Sequence, residues 1–196
     1  MLPKMENFGG KNLPIPIIYG NPQGRSATFS TAQTNQTASK IEDFVLTRAK
    51  DFAVASIDNE VIDASKGDAN AFMEATTNEI DGAIHSLSRS LAISLYRNGS
   101  GSIGQCNASA TGTSLVLKNA DDVTNFEVNQ ELVFSTADGG GSVKSGSVTV
   151  NAVNRSTVVL TVDALSAIDG GTGVAANDYI FVQGDYDKKI KGLQAW

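Results

Sequence analysis

Residues 99–104 spell Gly-Ser-Gly-Ser-Ile-Gly, the G-x-G-x-x-G spacing with which a glycine-rich turn presents backbone amides to a pyrophosphate. That chemistry needs a strand before the glycines and a helix N-terminus after them. Here a helical pattern precedes and a β pattern follows, so the segment is expected to be a helix stop and linker. His85 is the only histidine and Cys106 the only cysteine, so the chain lacks the residues for a disulfide, a cysteine-based zinc site or a ready cysteine–histidine nucleophile. His85 lies in a helical pattern beside Ile84 and Leu87, with no serine and carboxylate set up around it, and is expected to pack or face a partner. Paired carboxylates could in principle cleave a glycosidic bond. Glu74 and Glu79, five residues apart, do not share a helix face, however, and Asp121-Asp122 falls in a loop-like stretch. Asp185, Asp187 and the Asp-Gly loops have oxygen ligands for calcium but no EF-hand spacing. The residues therefore point to no catalytic, cofactor-binding or metal site, and to a protein that is not an enzyme.

The bulk composition narrows the class further. The 196 residues carry 15 Lys and Arg against 21 Asp and Glu, a net charge of −6. Without a local run of basic residues, that balance argues against specific nucleic-acid binding, which needs cations to displace the counterions of phosphate. No apolar run is long enough for a membrane span, and the first eleven residues hold Lys4, Glu6 and Lys11 rather than a signal-peptide core. Four N-x-S/T triplets begin at Asn35, Asn98, Asn107 and Asn154, and would matter only in a secreted eukaryotic protein.

The order of parts is more informative than any single residue. All four prolines lie in the first 22 residues. Pro14 and Pro16 make residues 13–19 an edge-type extended strand, since proline cannot donate to a ladder. Asn21-Pro22-Gln23-Gly24 has the residue order of a type I turn, and residues 25–39 are polar with little to bury. Alternation resumes at residues 43–57, which completes an extended two-stranded arm that is marginal alone. Asp58 is placed to cap a short helix that Gly67 interrupts, and Asp68 to cap a long one. From there Met73, Thr76, Ile80, Ile84, Leu87, Leu91 and Leu95 form one stripe of an amphipathic helix that runs to Arg97 and stops at Asn98-Gly99. Beyond residue 104, apolar β-type runs at residues 114–117, 131–135, 146–153, 157–162 and 178–182 alternate with Gly, Asp and Asn turns, and Asn154-Arg155-Ser156 suits a hairpin. These runs predict a small antiparallel barrel or sandwich. The expected class is α+β: an extended β-hairpin arm over residues 1–57, a short and a long helix over 58–104, a β domain over 105–184, and a closing stretch over 185–196.

This order, with the stretches FGGKNLPIPIIYGNPQGRSATF (residues 8–29), DFVLTRAKDFAVASIDNEVIDASKGDANAF (43–72) and NDYIFVQGDY (177–186), resembles the major capsid protein of tailed bacteriophages, the Hong Kong-phage-type fold. The resemblance implies that residues 13–57 form an extended loop reaching over a neighbouring subunit. It implies that 68–97 form a spine helix and that about 106–183 form an inserted β domain. It also implies a fragment of a longer subunit of a phage or prophage shell. The partners would be copies of the chain in hexamers and pentamers, with portal, scaffold or decoration proteins. The location would be the bacterial cytoplasm before assembly and the virion after it. Acidity suits an inner shell face that must not grip packaged DNA. By the same resemblance Asn21, Pro22, Gln23, Gly24 and Arg25, the tip of the arm, are the expected subunit-interaction residues. The competing expectation is a phage-derived binding module whose β domain recognises a host surface or a decoration protein, since exposed glycine-rich loops suit recognition.

Overall fold

The computed structural model describes residues 10–56 and 69–195. They fall into two compact units, Met1–Arg48 and Ala49–Trp196, with helix and antiparallel sheet mixed in the α+β manner.

The first unit is the arm. Strand β1 (Asn12–Gly20) pairs antiparallel with β2 (Lys40–Thr47), in register from Asn12↔Thr47 to Ile18↔Ile41. The second strand thus begins before Asp43 and ends well before Ile57. The ladder ends at the pair Asn12↔Thr47; the alternating residues 48–56 form no strand, and Ile57 lies outside the described residues. No hydrogen-bonded turn forms at Asn21–Gly24. The tip is closed further along, where the Thr37 amide donates to the Gln23 carbonyl at 2.7 Å and the Gln23 amide to Thr37 Oγ1 at 3.0 Å. Inside that clasp, the polar stretch, for which the sequence suggested no element, winds into the short helix α1 (Phe29–Thr34). The Ala32 amide donates to the Thr28 carbonyl, and Thr28 Oγ1 donates to Thr31 Oγ1 at 2.8 Å.

The second unit holds the long helix and the sheet. Helix α2 (Ala69–Tyr96) has 28 residues, about 42 Å at 1.5 Å per residue. Its C-terminal end lies within a residue of the expected Arg97, while Asp68 and the short helix expected after Asp58 lie outside the described residues. Past Asn98 the chain turns into β3 (Ser102–Gln105), so the glycine-rich segment is a helix stop that runs straight into a strand. Gly101 shows why glycine stands there: its φ is +89°, and a Cβ would come within 2.5 Å of the Asp185 carbonyl oxygen.

The remaining strands are β4 (Ser114–Val116), β5 (Glu131–Ser135), β6 (Val148–Asn154), β7 (Val159–Val162) and β8 (Tyr179–Val182). They lie in the order β3-β8-β5-β6-β7-β4, every pair antiparallel. The β6–β7 hairpin turns at Asn154, whose Oδ1 accepts the amides of Ser156 and Thr157. The two end strands meet at the single bridge Cys106↔Leu117, so the sheet is not closed: of the barrel or sandwich expected from the sequence, the barrel does not form. Side chains including Leu115, Phe126, Leu132, Phe134, Leu160 and Ile180, all at 0% exposure, fill its core. At its margin Lys144 Nζ lies 2.8 Å from Asp178 Oδ2, with the two side chains 12% and 3% exposed, and the same oxygen accepts the Ala175 amide at 2.7 Å.

Candidate functional site

The physical signature of the arm is what it fails to bury. None of its described residues reaches the buried state. Leu13, Ile15 and Phe44 are half-covered, while Ile18, Tyr19 and Ile41 are each 62% exposed and Val45 is 50% exposed. A two-stranded ribbon with this much apolar surface lacks a core of its own. At its tip, Pro22, Gln23, Gly24 and Arg25 line a shallow hollow of about 660 Å³ together with Phe29 and Ala32. Four of the five expected tip residues are thus brought together, and Asn21 is exposed outside the hollow. The sequence reading passed over Phe29, which is 84% exposed as the first residue of α1. The available signal was a single aromatic side chain in a polar stretch.

A second uncovered surface runs along α2. The face that rests on the β module carries Arg89, Ile93, Ser94 and Arg97. Arg89 bonds to Glu127 and to the Thr124 carbonyl, Arg97 pairs with Asp122 at 2.5 Å, Ile93 packs against the core and Ser94 is buried. At about 100° per residue, this face lies more than a third of a turn from the apolar stripe. Ile80, Ile84, Leu87, Leu91 and Leu95 of that stripe are all exposed, and Tyr96 beside them is 73% exposed. The most apolar side of the helix therefore does not serve this chain's own core.

Between the module-facing side of α2 and the module lies a cleft of about 720 Å³, into which residues 51–54 also project. Lys189 is its anchor: Nζ lies 2.7 Å from Asp51 Oδ2, 2.7 Å from Ser90 Oγ and 3.1 Å from Asp185 Oδ2. Burial would lower the Lys189 ammonium, but the two carboxylates outweigh it and hold the group above its ordinary value. Burial would likewise raise Asp51, yet its bonds to Lys189 and Ser90 hold it below the usual carboxylate range. Asp185 moves the other way, raised by burial, because its share of the cation does not make good the lost hydration beside a second acid. An acid lowered in the folded state lends stability that is lost as pH falls through its folded value. A raised lysine lends stability that is lost as pH rises beyond 10.5. The Asp51 anchor is therefore expected to hold from weakly acidic to moderately alkaline pH. Asp51→Asn should weaken it by about 1 kcal/mol, the upper range for a partly exposed pair. Limited trypsin digestion checks this: cleavage after Lys50 should speed up by roughly fivefold.

The other candidate groups have structural engagements. His85 is the exception: it is exposed at the lining of the cleft, and its side chain makes no hydrogen bond among the described residues. Asp122 takes Arg97, Asp185 takes Lys189, and Asp187 Oδ2 accepts the Gly140 amide at 2.8 Å. Burial, with Asp178 nearby, pushes the Cys106 thiol up to about 12, so it stays protonated and unreactive at neutral pH. Among the described residues no three His, Cys, Asp or Glu side chains are gathered to hold a metal, and no helix is long and apolar enough to cross a membrane. No protein-family model, no curated protein and no solved structure matches this chain.

Proposed function

We propose that this chain is a structural subunit, or part of one, of a phage or prophage icosahedral capsid, and that it acts by self-assembly. One observation carries the reading: none of the arm's described residues is buried, yet it exposes a run of large apolar side chains. Such surface is stable only when something else covers it. The exposed stripe of α2 is a second surface of the same kind on the same chain, as repeated contact between copies requires. Charge points the same way. Residues 1–48 hold five basic and three acidic side chains, and the remaining residues hold ten and eighteen. The arm of one copy is therefore attracted to the body of another. In this reading β1 and β2 are the extended loop, α2 is the spine helix, and the six-stranded sheet is an inserted domain. The arm tip at Asn21–Arg25 contacts the neighbour, and portal, scaffold or decoration proteins are further partners.

Size-exclusion chromatography with light scattering, followed by negative-stain microscopy, tests the proposal. Rings, hexamers, pentamers or shells support it. A chain that stays strictly monomeric at high concentration, with its arm intact, overturns it. The rival reading, a binding module, draws on the β module holding all the fully buried large side chains among the described residues. A monomer whose sheet loops capture a glycan or a protein would favour it.

A further inference from the structure

Asn98 and Gly99 join α2 to β3, and the side chain of Asn98 is held at both ends. Its Oδ1 accepts the Ser100 amide at 3.0 Å, which folds the side chain back over the intervening Gly99 peptide. Its Nδ2 donates to Asp138 Oδ2 at 2.8 Å, and Ser100 Oγ donates to the other oxygen of Asp138 at 2.6 Å. Asp138 opens the loop Asp138-Gly139-Gly140-Gly141, whose Gly140 and Gly141 amides are held by Asp187 and by the Tyr186 hydroxyl. The carboxamide of Asn98 is thus one of two donors that fix this loop against the end of the helix.

We infer that Asn98-Gly99 is a self-modification site, at which deamidation of Asn98 converts the donor facing Asp138 into a carboxylate and releases the loop. Hydroxide from water removes the Gly99 amide proton, and that nitrogen attacks Asn98 Cγ. A C–N bond forms, the C–Nδ2 bond breaks, and ammonia leaves with a proton taken from water. Addition of one water to the resulting succinimide gives an aspartyl or isoaspartyl residue at position 98. Three features of this site promote the first step. Gly99 has no side chain to shield its nitrogen, the turn brings Cγ toward it, and the Ser100 N–H polarises the carbonyl under attack. The product places a negative charge where the Asp138 carboxylate was receiving an N–H, so an attraction becomes a repulsion. The isoaspartyl form also adds a methylene to the backbone between α2 and β3.

The test needs only the intact chain. Trypsin cuts after Arg97 and after Lys118, so a single peptide carries Asn98 and, as an internal control, Asn107, which precedes alanine. After incubation in mildly alkaline buffer, position 98 is expected to gain about one dalton at a rate roughly tenfold above that of Asn107. Hydrogen exchange across residues 137–141 should quicken in step with the gain in mass. Asn98→Asp should show the fast exchange from the outset. Asn98→Gln, whose longer side chain closes its ring slowly, should keep both its mass and the slow exchange. If position 98 gains mass no faster than Asn107, or if Asn98→Asp exchanges like the unmodified chain, the inference is overturned.

Discussion

Lys144→Ala is expected to destabilise the β module by about 3–5 kcal/mol, the usual cost of removing one partner from a buried ion pair. The melting temperature should drop by roughly 10 °C or more. The size of the effect comes from the group left behind. Asp178 is 3% exposed, and among the described residues its Oδ2 has two partners, the Lys144 ammonium at 2.8 Å and the Ala175 amide at 2.7 Å. With the ammonium gone, a charge remains in a place that water barely reaches, and one amide cannot stabilise it alone. The backbone of Asp178 also matters to the sheet, because its carbonyl accepts the Cys106 amide at 2.8 Å, close to where the two end strands meet. A second variant separates charge from shape. Lys144→Met combined with Asp178→Asn removes both charges and keeps an acceptor for Ala175, so it should recover most of the loss. Circular dichroism melts of the two variants decide the matter. If the double variant melts as low as Lys144→Ala, the loss comes from packing and not from the orphaned charge.

If the chain self-assembles as proposed, Ile18→Lys together with Ile41→Glu is expected to abolish that assembly while leaving the chain folded. The two isoleucines face each other across the arm ladder, each 62% exposed. Opposite charges in that pairing preserve cross-strand attraction, so the hairpin itself should persist. What disappears is apolar surface to be covered by a neighbour, worth about 2 kcal/mol for each isoleucine that would have been buried. Two such losses in every copy correspond to a roughly thousandfold weaker contact. Sedimentation velocity should show the large species replaced by monomer, with the melt of the β module unchanged. Equal assembly by this variant would remove the arm from the contact.

The sequence made some elements plain and hid others, each for a physical reason. Five of the six strands in the sheet announce themselves by alternation between turn residues, and α2 by its stripe from Ile80 to Leu95. Strand β3 does not, because Ser100 and Ser102 are buried as small polar residues beside the glycines and leave no apolar pattern. The end of β2 was unreadable because residues 48–56 alternate as well as a strand does, and only the ladder, which ends at Asn12↔Thr47, marks where the strand stops. The stripe of α2 was legible as an apolar face, but its partner was not. Periodicity says that a face must be covered, and here the chain rests the helix on Arg89, Ile93, Ser94 and Arg97 instead. The tip followed a similar course: proline and glycine marked Asn21–Arg25 as a bend, whereas the clasp that closes it joins Gln23 to Thr37, fourteen positions away.

The pairing of β3 with β8 sets the timing of folding. These are the first and last strands of the sheet, Ser102–Gln105 and Tyr179–Val182, so their ladder closes a loop of more than seventy residues. Closing such a loop costs about 4 kcal/mol of chain entropy before any contact repays it, and distant pairings of this kind slow folding. On the ribosome the arm and α2 emerge first, and the sheet cannot be completed until β8 has been synthesised. Each nascent chain therefore spends an interval with its arm already synthesised and its module still open, in which, under the proposed self-assembly, premature contact between copies is a hazard. Slow completion of the sheet would then act as a clock, and a chaperone or a scaffold protein present at that stage would act on this intermediate.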